Sequence, residues 1–310
     1  MATSPSTIKV AVTQAEPEWL DLEKAVQKTS RPVDFALANT YIKQSLRVPS
    51  PQLSAIRAAA AQHAIGVVLG FSENHESSLY IAQAIIGPDG ALLAHRRKIK
   101  PTHMERTVFG DAAGGSDTLT NCVPMTLSPS SSSQGGELNV SALACWEHAQ
   151  PLLKYHTALA RPAFHAAAWP PVYAHGGRDA DPTLWSMSRE GCRALSQTFA
   201  VEAQAYVLHS TAVLTAKGVD RMGTAGAPIM GRPGGGSSAV YGPDGRKLTD
   251  DLDETKEGIL YAECDLDEIL KAKGFLDLGG HYSRPDILWL GVDSKAKKHS
   301  VTKERGQEDV

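Results

Sequence analysis

The tetrapeptide Gly-Pro-Asp-Gly occurs twice, at 87–90 and at 242–245, each time between β-rich runs. Proline presets the first corner of a turn and glycine supplies the positive φ at its end. The spacing predicts a hairpin of Leu79 to Ile86 with Ala91 to His95, and a second of Ser238 to Tyr241 with Arg246 to Leu248. Two such units hint at two similar half-sheets, although a good turn sequence used twice would look the same. Other strand candidates are Ile8 to Thr13, Gly66 to Phe71, Val140 to Cys145, Phe164 to Ala168 and Ala205 to Leu214. The continuous apolar run Gly66 to Phe71 suits a strand buried on both faces. Helical character falls on Asp21 to Gln27, Ser54 to His63 and Cys192 to Gln204. Strands alternating with helices argue for a layered α/β fold.

With 310 residues, 42% of them hydrophobic, the chain can bury one large core or two modest ones. A net charge of -3 with both signs interspersed lacks the basic stripe of a nucleic-acid or membrane-surface binder. No stretch approaches the length of a membrane span, and the N-terminus lacks a signal pattern, so a cytoplasmic protein is expected. Cys122, Cys145, Cys192 and Cys264 are too sparse for a disulfide framework and show no C-x-x-C spacing, which reads as reduced thiols. Ser128 to Gly136 is low-complexity and should form a surface loop. Ser294 to Val310 is charged with few apolar residues and should be a disordered tail.

Cys145 sits in the run Ser141-Ala-Leu-Ala-Cys-Trp-Glu147, where small and apolar residues lead into a thiol. A strand that delivers a cysteine to its own end exposes a nucleophile close to backbone N–H groups. From this segment alone a buried, inert cysteine is the commoner outcome. Lys98 lies where the first hairpin ends. A buried lysine there can stabilise a developing negative charge or lower a thiol pKa, whereas a solvated strand end is the plainer reading. Glu105 follows at a short distance. His103, His148, His156, His165 and His209 lack ligand spacing and read as packing or surface residues, so no metal is expected.

Longer runs carry more information. Arg97-Lys-Ile-Lys-Pro-Thr-His-Met-Glu-Arg-Thr-Val-Phe-Gly110 closely resembles the lysine motif of the nitrilase superfamily of carbon–nitrogen hydrolases. Ala144-Cys-Trp-Glu-His-Ala-Gln-Pro-Leu152 resembles its cysteine motif. Similar stretches are Ala168-Trp-Pro-Pro171, Leu184-Trp-Ser-Met-Ser-Arg-Glu190, Gly234-Gly-Gly-Ser-Ser238 and Gly280-His-Tyr-Ser-Arg-Pro285. The details look most like the fungal arylacetonitrilases, with cyanide hydratases as near relatives. The resemblance spans residues 8–293, leaving 294–310 as the tail.

That resemblance implies a four-layer α-β-β-α sandwich. It implies Cys145 as nucleophile, Lys98 as the lysine and Glu105 as the second, supporting glutamate. It implies hydrolysis of a small-molecule nitrile to the carboxylic acid and ammonia through a covalent thioimidate, without a cofactor, in a homo-oligomer. Cyanide hydratase or amidase chemistry are the alternatives within the superfamily. One departure matters. The family's general-base glutamate follows a first helix and second strand, yet here Ala25-Val-Gln-Lys-Thr29 runs directly into Ser30-Arg-Pro-Val-Asp-Phe35. Glu16, Glu18 and Glu23 stand in the wrong context to replace it. A helix plus a strand, roughly 30 residues, is wanting near residue 30. The interval from Lys98 to Cys145 is longer than the family's, by the Ser/Gly loop. Both departures look like exon-boundary effects in a gene model. If the segment is truly absent, the chain is a catalytically impaired member.

Overall fold

The computed structural model describes residues 7–16, 41–127, 136–177, 183–227 and 230–295. Among these residues ten strands form two sheets. They are β1 (Thr7–Ala15), β2 (Val67–His75), β3 (Ser78–Ile86), β4 (Leu92–Arg97), β5 (Cys122–Thr126), β6 (Glu137–Ala144), β7 (Phe164–Trp169), β8 (Tyr206–Ala212), β9 (Ala239–Tyr241) and β10 (Gly258–Asp265). The larger sheet runs β10-β1-β8-β7-β6-β5, with β9 also paired to β8. Its centre, β6-β7-β8, is parallel, and β5, β9 and β10 pair antiparallel at the flanks. The smaller sheet is the antiparallel meander β2-β3-β4.

The side-chain alternation of the strands assigns the layers. On β3, Ala82, Ala84 and Ile86 pack with Leu53 and Ala60 of helix α1 (Pro51–His63). Ile85 faces the other way, into a core shared with Val123, Val140, Ala142, Phe164 and Tyr206 of the larger sheet. The far side of that sheet, with Ala167, Trp169 and Val207, packs on Ala158 of α2 (Pro151–Leu159) and Phe199, Ala200 and Ala203 of α3 (Arg189–Ala203). Helix, sheet, sheet and helix therefore stack in that order. Two of these helices start on a hydroxyl cap: Ser50 Oγ accepts from Leu53 N–H in α1, and Ser188 Oγ accepts from Gly191 N–H in α3.

Both Gly-Pro-Asp-Gly turns form, and in the same way. Gly90 N–H donates to Gly87 O at 2.9 Å, and Gly245 N–H donates to Gly242 O at 2.8 Å. Both closing glycines have positive φ, 78° and 83°. Each turn rests on a helix: Arg57 Nε donates to Gly90 O at 2.7 Å, and Gln197 Nε2 to Gly245 O at 3.1 Å. A shared mode of docking goes beyond the repeat of a convenient turn.

Three sequence expectations need adjustment. Arg246 to Leu248 is not a strand but a single bridge, Tyr241 to Lys247, because Thr249 Oγ1 takes the Val240 N–H that a ladder would use. Val67, Val68 and Leu69 are half-buried and Gly70 exposed, so the first half of β2 is not covered on both faces. Among the described residues β2 pairs with β3 on one side and forms only the Leu46 bridge on the other. The helix expected from Cys192 begins at Arg189, one turn earlier, under its Ser188 cap. Helix Asp21 to Gln27, the join near residue 30, and all of the low-complexity loop but Gly136 lie outside the described residues, as does the tail from residue 296. Among the described residues no helix is long and apolar enough to cross a membrane.

Buried Glu73 of β2 ties the smaller sheet together. Arg97 donates to both its oxygens at 2.7 Å, and His95 Nε2 lies 3.1 Å away. Burial raises the Glu73 carboxyl, but the hydrogen bonds from Arg97 and His95 outweigh it and hold the group down at about 2. The folded state therefore gains stability from Glu73 that is complete above pH 4.5 and is lost as pH falls towards 2, on the order of 3 kcal/mol. Glu73→Gln should lower the midpoint of urea unfolding at pH 6 and flatten its fall between pH 4.5 and 2. An unchanged pH dependence would remove Glu73 from the account.

Candidate active site

Cys145 stands at the C-terminal end of β6, among the ends of the three parallel strands, where open α/β sheets place their ligand crevices. It opens a 3-10 turn, Cys145–Ala149, with φ at 55°. A non-glycine residue held there costs of order 1–3 kcal/mol and persists only where its surroundings dictate it. The residue is 7% exposed. Burial pushes its thiol up to about 12, against a lowering by the charge of Lys98 and by a hydrogen bond from the Trp146 N–H.

Lys98 follows β4 directly, and its N–H donates to Ile81 O at 2.7 Å. On β4 the buried face carries Ala94 and Arg96, and the alternation brings Lys98 to the same side, 1% exposed. Its Nζ donates to Glu105 Oε2 at 2.6 Å and to Thr102 Oγ1 at 3.3 Å. Glu105 lies in the 3-10 turn His103–Thr107. Its Oε2 also accepts from Thr102 N–H at 2.7 Å and Thr102 Oγ1–H at 3.0 Å, so the carboxylate is committed to the lysine and to the turn. The structure thus places Lys98 and Glu105 in contact, and both act electrostatically on the Cys145 thiol.

A fourth residue joins the two arms. Glu147 Oε1 accepts from Arg96 Nη2 at 2.6 Å and from Ile99 N–H at 2.9 Å. Glu147 Oε2 accepts from Arg96 Nη1 at 2.9 Å and from Ala144 N–H at 2.8 Å. One carboxylate therefore grips the residue after Lys98 and the residue before Cys145. Arg96 Nη1 also donates to Gln83 Oε1 at 2.7 Å, and Gln83 Nε2 donates to Leu143 O at 3.2 Å, which crosses from one sheet to the other. Burial raises the Glu147 carboxyl, but Arg96 and the two backbone donors bring it below its ordinary value. Sequence reasoning assigned no role to Arg96, Gln83 or Glu147. The period of two on β4 was the available signal for Arg96, since it shares a face with Ala94.

Of the glutamates before the join, Glu16 is described. Its Oε1 accepts from Thr215 N–H at 2.7 Å. It follows Ala15, which pairs with Ala212 of β8, whereas Cys145 follows Ala144, which pairs with Ala168 and so with Ser210. Three strand spacings separate the two residues, about 14 Å, too far for proton transfer. Glu18 and Glu23 lie outside the described residues.

Three of the histidines read as packing residues, His148, His165 and His209, are fully enclosed on the α3 side of the larger sheet. His148 stacks on Trp169, and His165 lies 4.2 Å from the Phe199 ring centroid. His209 Nδ1 pairs with Ser196 Oγ at 2.8 Å. All four cysteines are free.

Comparison with known proteins agrees with this architecture. The chain is 48% identical to an arylacetonitrilase of Aspergillus kawachii (strain NBRC 4308), covering 95% of this chain and 94% of that one. It is 50% identical to an arylacetonitrilase of Macrophomina phaseolina (strain MS6), covering 96% and 94%. The first alignment runs over 324 positions, although 95% of 310 residues is about 295, so about 30 positions of the relative have no counterpart here. Among solved structures, Saccharomyces cerevisiae Nit3, a member of branch 10 of the nitrilase superfamily, shares the fold with a TM-score of 0.61 at 17% identity, covering 89% of this chain and 96% of that one. A family model described as carbon-nitrogen hydrolase matches residues 33–273. The chain belongs to the carbon–nitrogen hydrolase family.

Proposed function

We propose that the protein is a nitrilase that hydrolyses arylacetonitriles to the carboxylic acid and ammonia, with Cys145 as nucleophile, Lys98 as the electrostatic stabiliser and Glu105 as the group that holds Lys98. The observation that carries this reading is near-half identity over almost the full length of proteins named for that substrate class. The geometry supports it: a thiol on a strained strand end, and a buried lysine paired to a carboxylate beside it.

In this mechanism the sulfur attacks the nitrile carbon while its proton passes to a base; negative charge develops on nitrogen, which then takes that proton from the base to give the thioimidate. The Lys98 ammonium faces that charge in a site sheltered from water, where such an interaction is strong. A first water adds to the thioimidate carbon and ammonia departs, leaving an acyl thioester. A second water releases the acid and restores the thiol. Covalent capture divides one difficult hydrolysis into easier steps.

A second reading has an observation of its own. Among the described residues, the carboxylates that act on the thiol are Glu105 and Glu147, which are engaged by Lys98 and by Arg96. A thiol pushed to about 12 needs a proton acceptor, and the sequence resemblance implies that the family's base belongs to a segment missing near residue 30. This polypeptide is then an impaired form of an arylacetonitrilase. A cytoplasmic location, in keeping with four free thiols, and a homo-oligomeric state complete the proposal.

Ammonia and phenylacetic acid released from phenylacetonitrile test the activity. Cys145→Ala should abolish both, and turnover that survives it would end the assignment. Formamide from cyanide, with no acid from any arylacetonitrile, would favour the hydratase instead. Grafting the corresponding helix–strand segment of the Aspergillus kawachii relative at residue 30 should raise kcat by about 100-fold or more. A graft that folds without raising kcat would show that the base is not the deficit.

A further inference from the structure

Behind Cys145 runs a chain of hydrogen bonds whose direction is set from one end. The Cys145 carbonyl oxygen lies 2.8 Å from His148 Nδ1. A carbonyl only accepts, so His148 Nδ1 carries the hydrogen. Burial drives His148 down to about 4 and His165 well below its ordinary value, so both rings are neutral at pH 7. His148 Nε2 is then an acceptor, and at 2.9 Å it takes the hydrogen of His165 Nε2. His165 Nδ1 is left to accept from the Ser141 hydroxyl at 2.7 Å. The rings have no freedom to turn: His148 stacks on Trp169 at 5.3 Å, and both meet Phe199.

The carbonyl so held belongs to the Cys145–Trp146 peptide. That unit is planar, with its C=O and N–H pointing in opposite directions, so fixing the oxygen also aims the N–H. The Trp146 N–H, next along the chain from the sulfur, favours its charged form. On its other sides the sulfur faces the charges of Lys98, Glu105 and Glu147, and the Cys192 thiol. His148 faces Glu147, Lys154 and Arg96 besides its hydrogen-bond partners.

We propose that His148 and His165 are positioning residues for the nucleophile: the chain from Ser141 through His165 to His148 holds the Cys145 carbonyl and thereby presents the Trp146 N–H to the sulfur. The proposal rests on Cys145 being the nucleophile. Its first readout is the pH profile of Cys145 alkylation by iodoacetamide, located by peptide mass spectrometry, which needs no turnover. Failure of the nitrilase reading and failure of this one are thus separable.

His148→Leu removes the donor. The alkylation midpoint should rise by about one pH unit or more, and kcat on phenylacetonitrile should fall about 100-fold with KM changed less than about threefold. His148→Asn keeps an N–H near the Nδ1 position and should recover most of both. His165→Leu should shift the profile in the same direction, and His165→Gln, which retains a donor to His148, should shift it less. An unshifted profile in His148→Leu, or equal losses in the leucine and asparagine variants, overturns the proposal in favour of simple packing. If neither leucine variant folds, Ser141→Ala decides, since it removes one hydroxyl at the far end of the chain. An upward shift there supports the relay, and an unchanged profile overturns it.

Discussion

The site depends on one buried ion pair, Arg96 with Glu147. Taking both charges out of water costs several kcal/mol per ion, and only good geometry with full hydrogen bonding offsets it. Here each Glu147 oxygen accepts two hydrogen bonds, one from the guanidinium and one from a backbone N–H. The guanidinium is less well served, because Arg96 Nε is buried with no partner among the described residues. A pair made only for stability would gain more from apolar replacements of the same volume. What this pair does that a leucine could not is to fix two chain segments from different sheets against one carboxylate. Ala144 and Ile99 are held at once, so the thiol and the lysine keep their relation whatever the surface loops do.

The larger sheet supplies the rest of the framework. Its parallel strands β6, β7 and β8 end side by side, and their alternation sends Val140, Ala142, Phe164 and Tyr206 to the inter-sheet core and Ser141, His165 and His209 to the helix side. Strand β6 is thus backed by the Ser141–His165 pair on its helix face and by apolar packing around Val140 and Ala142 on the other. A buried polar network is worth having only when each member is satisfied, and the Ser141–His165–His148 chain meets that condition from the hydroxyl to the carbonyl. The left-handed backbone at Cys145 can then be sustained: Glu147 fixes the N–H before it and His148 the C=O at it.

Much of this was legible in the chain, for identifiable reasons. β-branched and small-residue runs marked the strands, and the two Gly-Pro-Asp-Gly turns marked the corners, because proline and glycine constrain backbone locally. Long motifs around Lys98 and Cys145 pointed to the family. Local reasoning failed where the deciding partner lay far along the chain. Arg246 to Leu248 looks like a return strand, but Thr249 Oγ1 takes the Val240 N–H. Arg96 looks like a solvated base beside Arg97, yet a carboxylate 51 positions away makes it a buried one. His148, His165 and His209 carry no ligand spacing, and no pattern in the chain shows that two of them meet each other.

The charges around the sulfur explain why the identity of the site and the activity of the polypeptide are separate questions. Burial is the largest influence on Cys145 and works against the thiolate, while Glu105 and Glu147 add to the same tendency. Lys98 and the Trp146 N–H work the other way, but the thiol still ends near 12. At pH 7 the resting cysteine is therefore neutral, and ionisation has to accompany attack. Attack by such a thiol calls for a proton acceptor within hydrogen-bond reach of the sulfur. Glu105 is held by Lys98 and Thr102, Glu147 by Arg96 and two amides, and Glu16 stands three strands away. A strand inserted beside β1 or β2 would disturb none of these pairs. Among the described residues, β1 from Thr7 to Thr13 pairs only with β10, and β2 keeps only the Leu46 bridge on its outer side.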